Sequence, residues 1–248
     1  MSIFLQLPQE TVDTFVDYLY ETEGRQQMTV CSLVHPSFTP RAQYYLFSKI
    51  RFSSDIAPRD KRRTQRIHYL NEILLRKPYI AEFVRDIHLC LSPTDTEWIT
   101  EASGFLDTMR LLASSGCAPR KFVLEKVFYS WFPALLSPRI FMKEFVQDFI
   151  APTVTLLEIR GMQGLPADFI SCFTNLKTLV MDSVVFGAPV LDIPPASFPR
   201  ILDLDLRGQL ERIPEISGLT DTQGIHGLDL THLNCLKAAL RLTQCCAW

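Results

Sequence analysis

The sequence predicts an α/β protein in which a small N-terminal helical unit precedes an irregular repeat array with a parallel sheet. Two observations lead to this prediction. The first fifty residues carry apolar side chains at helical spacing, interrupted by glycine and proline. From residue 47 onward, one short apolar pattern returns repeatedly, with enough residues between its copies for a helix or a turn. We expect residues 1–46 to form the helical unit, residues 47–230 the array, and residues 231–248 a C-terminal helix or tail.

The N-terminal unit is predicted to contain three helices. Pro8 suits the first position of a helix, where the missing N–H costs nothing, and apolar residues follow it at helical spacing. A polar connection over residues 21–27 is expected to lead to a second helix from Met28 to Val34. Because that helix is apolar nearly all round, it must be covered on more than one side. A His-Pro pair ends it, and residues 37–46 can form the third helix.

The repeated pattern has the form Leu-x-x-Leu-x-Leu, with other residues, mostly apolar, standing in at some positions. Its seven copies are separated by 37, 35, 35, 22, 25 and 24 residues, and the last three spacings fall within the period of leucine-rich repeats. The longer spacings leave room for an additional helix, which predicts helices over residues 97–114 and 138–150. Each copy should form a strand that pairs in parallel with the next. The middle residues of the copies are Ile50, Ile87, Phe122, Leu157, Leu179, Leu204 and Leu228.

A doubly wound α/β fold is an alternative, because its strands also alternate with helices at similar spacing. The array is favoured since the three short spacings are nearly equal and leave too few residues for full crossover helices. No polar capping unit follows residue 230, although repeat arrays need such caps. We therefore expect the chain to correspond to a shortened version of a longer protein.

Composition and charge exclude several classes of protein. The formal net charge of -2 provides no field that would hold the chain on nucleic acid or on a membrane surface. No apolar run reaches the roughly 18 residues of a membrane-spanning helix, and the N-terminus lacks the features of a signal peptide. The seven cysteines stand mostly among apolar residues, as expected of free thiols in a reducing compartment. The expected location is the cytoplasm, the nucleus or both.

A basic segment covers residues 59–66. Aromatic residues that could stack on bases do not interleave with its charges, so nucleic-acid binding is not predicted. The segment is expected instead to be a solvated stretch that opens a helix. The buried face of that helix should consist of Ile67, Leu70, Ile73 and Leu74.

The sequence contains no motif that indicates an enzyme, a metal site or a cofactor site. Cys31 and His35 lie four residues apart, but Cys31 belongs to an apolar stripe and His35 to a helix end, which favours packing over catalysis. His88 and Cys90 share one face of a predicted strand, yet two ligands do not make a structural zinc site. A hydrolase of the α/β type stays an alternative that requires a nucleophile and a base in contact.

The first fifty residues resemble an F-box. The resemblance rests on Leu7-Pro8-Gln9-Glu10, on Cys31-Ser32-Leu33-Val34, and on Leu46-Phe47 leading into a strand. Two features depart from the family pattern: Phe38 stands where tryptophan is common, and the polar connection over residues 21–27 is unusually long.

This resemblance implies a substrate receptor of an SCF-type ubiquitin ligase, with no catalytic site and no cofactor of its own. In that family the helical unit binds the Skp adaptor, which links it to a cullin, and the C-terminal repeats recruit a protein substrate. An interaction scaffold whose F-box-like segment only caps the array is the alternative. By analogy, the adaptor-binding residues would be Leu7, Pro8, Val12, Phe15, Leu19, Cys31, Leu33, Val34 and Phe38.

The residues that flank the middle leucine of each repeat should point away from the core. They would form a surface of mixed charge with an acidic excess, which suits a substrate that carries basic groups. The other interpretation is that they are simply the solvated side of each strand. The candidate substrate-binding residues are Glu158, Arg160, Asp182, Asp205, Arg207 and Asp229.

Overall fold

The computed structural model is a mixed α/β protein with a parallel sheet, as the sequence predicts. Helices precede the first strand and lie between later strands. No helix of the described part of the chain is long and apolar enough to cross a membrane. The structure describes residues 7–53, 62–91, 99, 104–131, 141–166, 168–187, 199–208 and 234–240.

Three α-helices form the N-terminal unit: α1 (Gln9–Glu23), α2 (Arg25–Val34) and α3 (Thr39–Phe47). Helix α1 begins one residue after Pro8, whose carbonyl accepts the first helical N–H bonds. A single residue, Gly24, joins α1 to α2 with a φ of 76°, which glycine tolerates.

The predicted polar connection over residues 21–27 is therefore wrong. Arginine and glutamine have good helix propensity, so α2 starts three residues earlier than the apolar pattern indicates. The second helix ends at Val34 as predicted. There the Nδ1 atom of His35 accepts the N–H of Ser37, at the start of a 3₁₀ turn over Pro36–Phe38.

The N-terminal unit has a small hydrophobic core of its own. Five buried side chains form this core, and parts of Leu19, Tyr20, Cys31, Tyr45 and Leu46 pack against it. The core lies between the three helices and holds them together as one compact unit. Its buried members are Val12, Val16, Met28, Phe38 and Ala42.

Every strand pair in the sheet is parallel, and neighbouring strands follow the order of the chain. A doubly wound sheet requires that order to reverse, and no reversal occurs among the described strands. Strands β5 and β6 both pair with β4, β5 near its start and β6 near its end. The strands are β1 (Lys49–Ser53), β2 (Asp86–Leu91), β3 (Lys121–Trp131), β4 (Leu156–Pro166), β5 (Thr178–Asp182), β6 (Val185–Gly187), β7 (Asp203–Gly208) and β8 (Cys235–Leu240).

The strand register agrees with the repeated pattern. Its first six middle residues, from Ile50 to Leu204, lie opposite one another from β1 to β7. The residue opposite Leu204 on the next strand is Leu236. The seventh predicted copy, around Leu228, lies outside the described residues.

The sequence predicts a C-terminal helix or tail from residue 231, but residues Cys235–Leu240 form strand β8. Lysine, alanine and leucine favour a helix in isolation. Here the free edge of β7 offers backbone partners, and the N–H of Asn234 donates to the carbonyl of Leu202 at 2.7 Å. Tertiary context overrides the local propensity.

One backbone arrangement recurs at the start of the strands. The carbonyl of Ser48, just before β1, accepts the N–H groups of Arg85 and Asp86 at 2.8 and 2.9 Å. The later strands repeat this arrangement from each to the next, with the exception of β6, so all strands other than β6 begin at the same level. The other accepting carbonyls belong to Arg85, Arg120, Thr155, Lys177 and Leu202.

The helices of the array lie against one face of the sheet. They are α4 (Arg62–Arg76), α5 (Phe105–Ser114) and a π-helix (Phe141–Ile150). The described parts of the helices predicted over residues 97–114 and 138–150 thus agree with the prediction. In α4, Ile67 and Leu74 are buried and Leu70 and Ile73 partly so, as predicted. Residues 59–61 of the basic segment lie outside the described residues.

Phe122 lies at the centre of the large core. It is fully buried on β3, and its ring centroid lies 5.8 Å from that of Phe145 and 6.4 Å from that of Phe173. It therefore connects the sheet to the π-helix and to the segment between β4 and β5.

We expect Phe122→Ala to lower the free energy of unfolding by about 3–5 kcal/mol, because it leaves a cavity between these three elements. Urea denaturation followed by circular dichroism measures the change. The control is Leu75→Ala on α4, where the side chain is 67% exposed and the loss should stay within about 0.5 kcal/mol. Equal losses in the two variants would contradict the central position assigned to Phe122.

Candidate functional site

The N-terminal unit exposes apolar side chains on two of its helices. On α2, Val30, Leu33 and Val34 are 56%, 82% and 63% exposed, and their i, i+3, i+4 spacing places them on one face. On α1, Phe15 and Tyr18 are exposed at i, i+3. Leu7 and Pro8, just before α1, are also exposed. We call the whole set the exposed apolar surface: Leu7, Pro8, Phe15, Tyr18, Val30, Leu33 and Val34.

The turn after α2 brings the two helices together at this surface. The ring centroids of Phe15 and Phe38 are 6.0 Å apart, and Phe38 belongs to the turn that follows Val34. The Nε2 of Gln9 also donates to the carbonyl of Ser37 at 3.0 Å. The apolar stripes of α1 and α2 therefore border the same turn.

An ion pair fixes α1 against α3. Arg41 donates to both carboxylate oxygens of Asp17, at 2.5 and 2.8 Å, and the hydroxyl of Tyr45 donates to the same carboxylate at 3.0 Å. The Arg41 guanidinium also lies over the rings of Tyr44 and Tyr45, while Tyr20 stacks on Tyr45 at 3.9 Å. The hydrogen bonds from Arg41 hold the pKa of Asp17 below its ordinary value.

The residues predicted to bind an adaptor divide by side-chain exposure into an exposed, a partly buried and a buried group. Leu7, Pro8, Phe15, Leu33 and Val34 are exposed. The side chains of Leu19 and Cys31 are partly buried against the small core.

Val12 and Phe38 form the third group: their side chains are 2% and 4% exposed and belong to the small core. Apolar spacing alone does not separate the inner from the outer face of a short helix that is apolar all round. Sequence analysis missed Tyr18 and Val30, although each lies three residues from an exposed member, Phe15 or Leu33.

The second candidate site is the face of the sheet that lies opposite the apolar core, which we call the open face. Successive strand residues point to opposite sides, so the neighbours of the buried Leu157 and Ile159 belong to this face. The register aligns Glu158 with Asp205 and Arg160 with Asp182 and Arg207. The described candidate substrate-binding residues thus share one face, and Asp229 lies outside the described residues.

Charges on the open face neutralise one another. Glu158 is 6% exposed and accepts from Lys121 Nζ at 3.1 Å and from Arg160. Burial alone would raise the pKa of Glu158, but the hydrogen bonds from Arg160 and Lys121, together with their positive charges, lower it. Arg207 likewise donates to Asp205 at 2.6 Å. The carboxylates of Glu158 and Asp205 are therefore already paired.

The acidic excess predicted from the candidate residues does not extend to the whole open face. Strands β1, β3 and β8 add cations that the sequence analysis did not count, so six basic and six acidic side chains share the face among the described residues. The basic residues are Lys49, Arg51, Lys121, Arg160, Arg207 and Lys237, and the acidic residues are Asp86, Glu125, Glu158, Asp182, Asp203 and Asp205.

His88 and Cys90 lie side by side on the open face, as the strand prediction requires. The Nε2 of His88 lies 2.8 Å from Glu125 Oε2, and burial lowers the pKa of His88. Burial also raises the pKa of the Cys90 thiol, which disfavours a reactive thiolate. Within the described ranges, no three His, Cys, Asp or Glu side chains are arranged to hold a metal ion.

Because the folded-state pKa of Asp17 is lowered, its ion pair stabilises the protein above the unfolded-state pKa of about 3.9. This contribution should disappear as the pH falls through the lower folded-state pKa. We expect Asp17→Asn to destabilise the protein at pH 7 and to differ progressively less from the unchanged protein below about pH 4. Chemical denaturation between pH 3 and pH 7 measures the difference, and Asp13→Asn on the same helix is the control. A difference that does not depend on pH would contradict the assignment.

No protein-family model matches this chain, and no curated protein or solved structure shows significant similarity to it.

Proposed function

We propose that the protein is the substrate-recognition subunit of an SCF-type ubiquitin ligase, located in the cytoplasm or nucleus. The N-terminal unit would act as an F-box and bind a Skp-type adaptor, and through it a cullin. The strand-and-helix array would act as an irregular leucine-rich-repeat solenoid and bind a protein substrate. The observation that carries the proposal is the exposed apolar surface.

The exposure of α2 supports an external partner. Leu33 is 82% exposed although the N-terminal unit has its own core and contacts the array through α3. Burying a leucine side chain contributes about 1.5–3 kcal/mol, and a cluster of exposed apolar side chains marks an interaction site. A helix with an apolar outer face is suited to a partner with an apolar groove.

The sheet supports a repeat-type receptor. Its strands follow chain order and share one backbone bonding arrangement, as expected when each unit stacks on the previous one. The open face is polar and balanced in charge, which favours a polar protein surface as substrate over a strongly basic segment. Electrostatic complementarity of this kind mainly provides specificity.

An interaction scaffold that takes no part in ubiquitination is the second candidate, and one contact favours it. The Tyr44 ring packs edge-on against Phe83 at 6.1 Å, and the hydroxyl of Tyr79 donates to Gln43 at 3.3 Å. Helix α3 thus packs against the 3₁₀ helix Pro78–Phe83, which lies between α4 and β2, as a terminal cap would. A cap needs no adaptor, so adaptor binding separates the two functions.

We expect Leu33→Asp to weaken binding of a purified Skp adaptor by about thirtyfold or more, because truncating a central interface residue costs at least about 2 kcal/mol. Isothermal titration calorimetry measures the affinity. Leu75→Asp, the same change at an exposed leucine of α4, should leave it unchanged. Absence of binding by the unchanged protein would refute the ligase function and favour the interaction scaffold.

The start of α1 offers an independent test of the same surface. We expect the double variant Leu7→Ala with Pro8→Ala to weaken adaptor binding, since both residues are exposed at the start of α1. A pull-down with the tagged protein measures retention of the adaptor. Full binding by the double variant, together with weakened binding by Leu33→Asp, would restrict the contact to α2.

A further inference from the structure

A groove of about 370 Å³ lies between α5 and the π-helix. Its floor is apolar and is formed by the buried Met109, Phe145 and Phe149. These residues also belong to the large core, so the floor is held in place from below. The groove lies on the helical side of the sheet and is separate from both candidate sites described above.

The rim of the groove is charged. Arg110 on α5 donates across the groove to Glu144 on the π-helix at 2.6 Å, and to Asp107 on its own helix at 3.0 Å. Asp148 lies one turn further along the π-helix and is exposed. Within the described residues, no hydrogen bond or ion pair engages it. Since Arg110 is already shared by two carboxylates, the rim carries a net negative charge.

The shape of the groove favours a peptide over a small molecule. A small-molecule site buries most of its ligand, whereas here the walls are exposed: the side chain of Arg110 is 61% exposed and that of Glu144 41%. Helix α5 has ten residues, a length of about 15 Å. A partner helix of about three turns would lie along this wall.

We propose that this groove binds a basic amphipathic helix of a partner protein. Apolar side chains of that helix would pack against the partly exposed Leu106 and the exposed Ala113, above the buried floor. A lysine or arginine of the helix would pair with Asp148. Anchors at i, i+3, i+4 and i+7 are the pattern by which helices bind such grooves.

The test uses the full chain and a fluorescein-labelled 14-residue peptide of leucine and lysine, with the leucines at helical spacing. Fluorescence anisotropy should give saturable binding of this peptide and at least tenfold weaker binding of a scrambled peptide with the same composition. A peptide with glutamate in place of lysine should also bind at least tenfold more weakly. Equal binding of the three peptides would overturn the proposal.

Two variants locate the binding on the protein. Ala113→Trp fills the groove from the exposed wall of α5 and should weaken peptide binding at least tenfold. Gln147→Trp places the same side chain on the π-helix outside the groove and should change binding less than twofold. Equal effects of the two variants would place the peptide elsewhere and overturn the proposal.

A charge-matched pair tests the role of Asp148. Asp148→Asn should weaken binding about two- to fivefold, the effect of one exposed ion pair, and the loss should shrink at high salt. Gln147→Lys changes the net charge by the same amount outside the groove and should have less effect. A larger effect of Gln147→Lys would mean that only overall charge matters. Adaptor binding measured on the same variants should be unchanged, so that failure of this proposal is distinguishable from failure of the proposed function.

Discussion

The paired backbone hydrogen bonds at the strand starts are the constraint on which the rest of the structure depends. One carbonyl before each strand, Ser48 in the first case, accepts two N–H groups from the start of the next strand. This fixes every strand other than β6 at the same level. A slip of one residue would move all side chains of that strand to the opposite face. The division of the sheet into an apolar and a charged face therefore depends on these bonds.

The same constraint explains how connections of unequal length form one regular sheet. Only the strand starts are fixed, so a connection contributes a helix where it is long, as between β1 and β2, and a 3₁₀ turn where it is short, as between β4 and β5. Longer connections cost little additional closure entropy. The apolar face then receives helices of different kinds, and the α5/π-helix groove lies where two of them meet.

The strand register could be predicted because it depends only on apolar residues at alternate positions of each strand. The middle residues of the repeated pattern, from Ile50 on β1 to Leu204 on β7, meet that requirement. Prediction failed where the outcome depended on distant partners. The strand at Cys235–Leu240 forms on the edge of β7 against its own helix propensity. The charge balance of the open face was missed because Arg51 lies far in sequence from its partner Glu125, and Lys121 far from its partner Glu158. Each pair meets only across strands.

The exposed apolar surface follows from the size of the N-terminal unit. A unit of about forty residues buries a smaller share of its surface than a full domain does, and here only five side chains form its core. Helix α2 turns Met28 inward, and its apolar residues continue round to Leu33 on the opposite side. The short helix therefore cannot bury both faces within the unit, and α3 is already engaged with the array through Tyr44. The outer face of α2 is therefore exposed in the part of the chain that the structure describes. Under the proposed function, binding of the adaptor would bury this face and complete the burial that folding of the unit leaves unfinished.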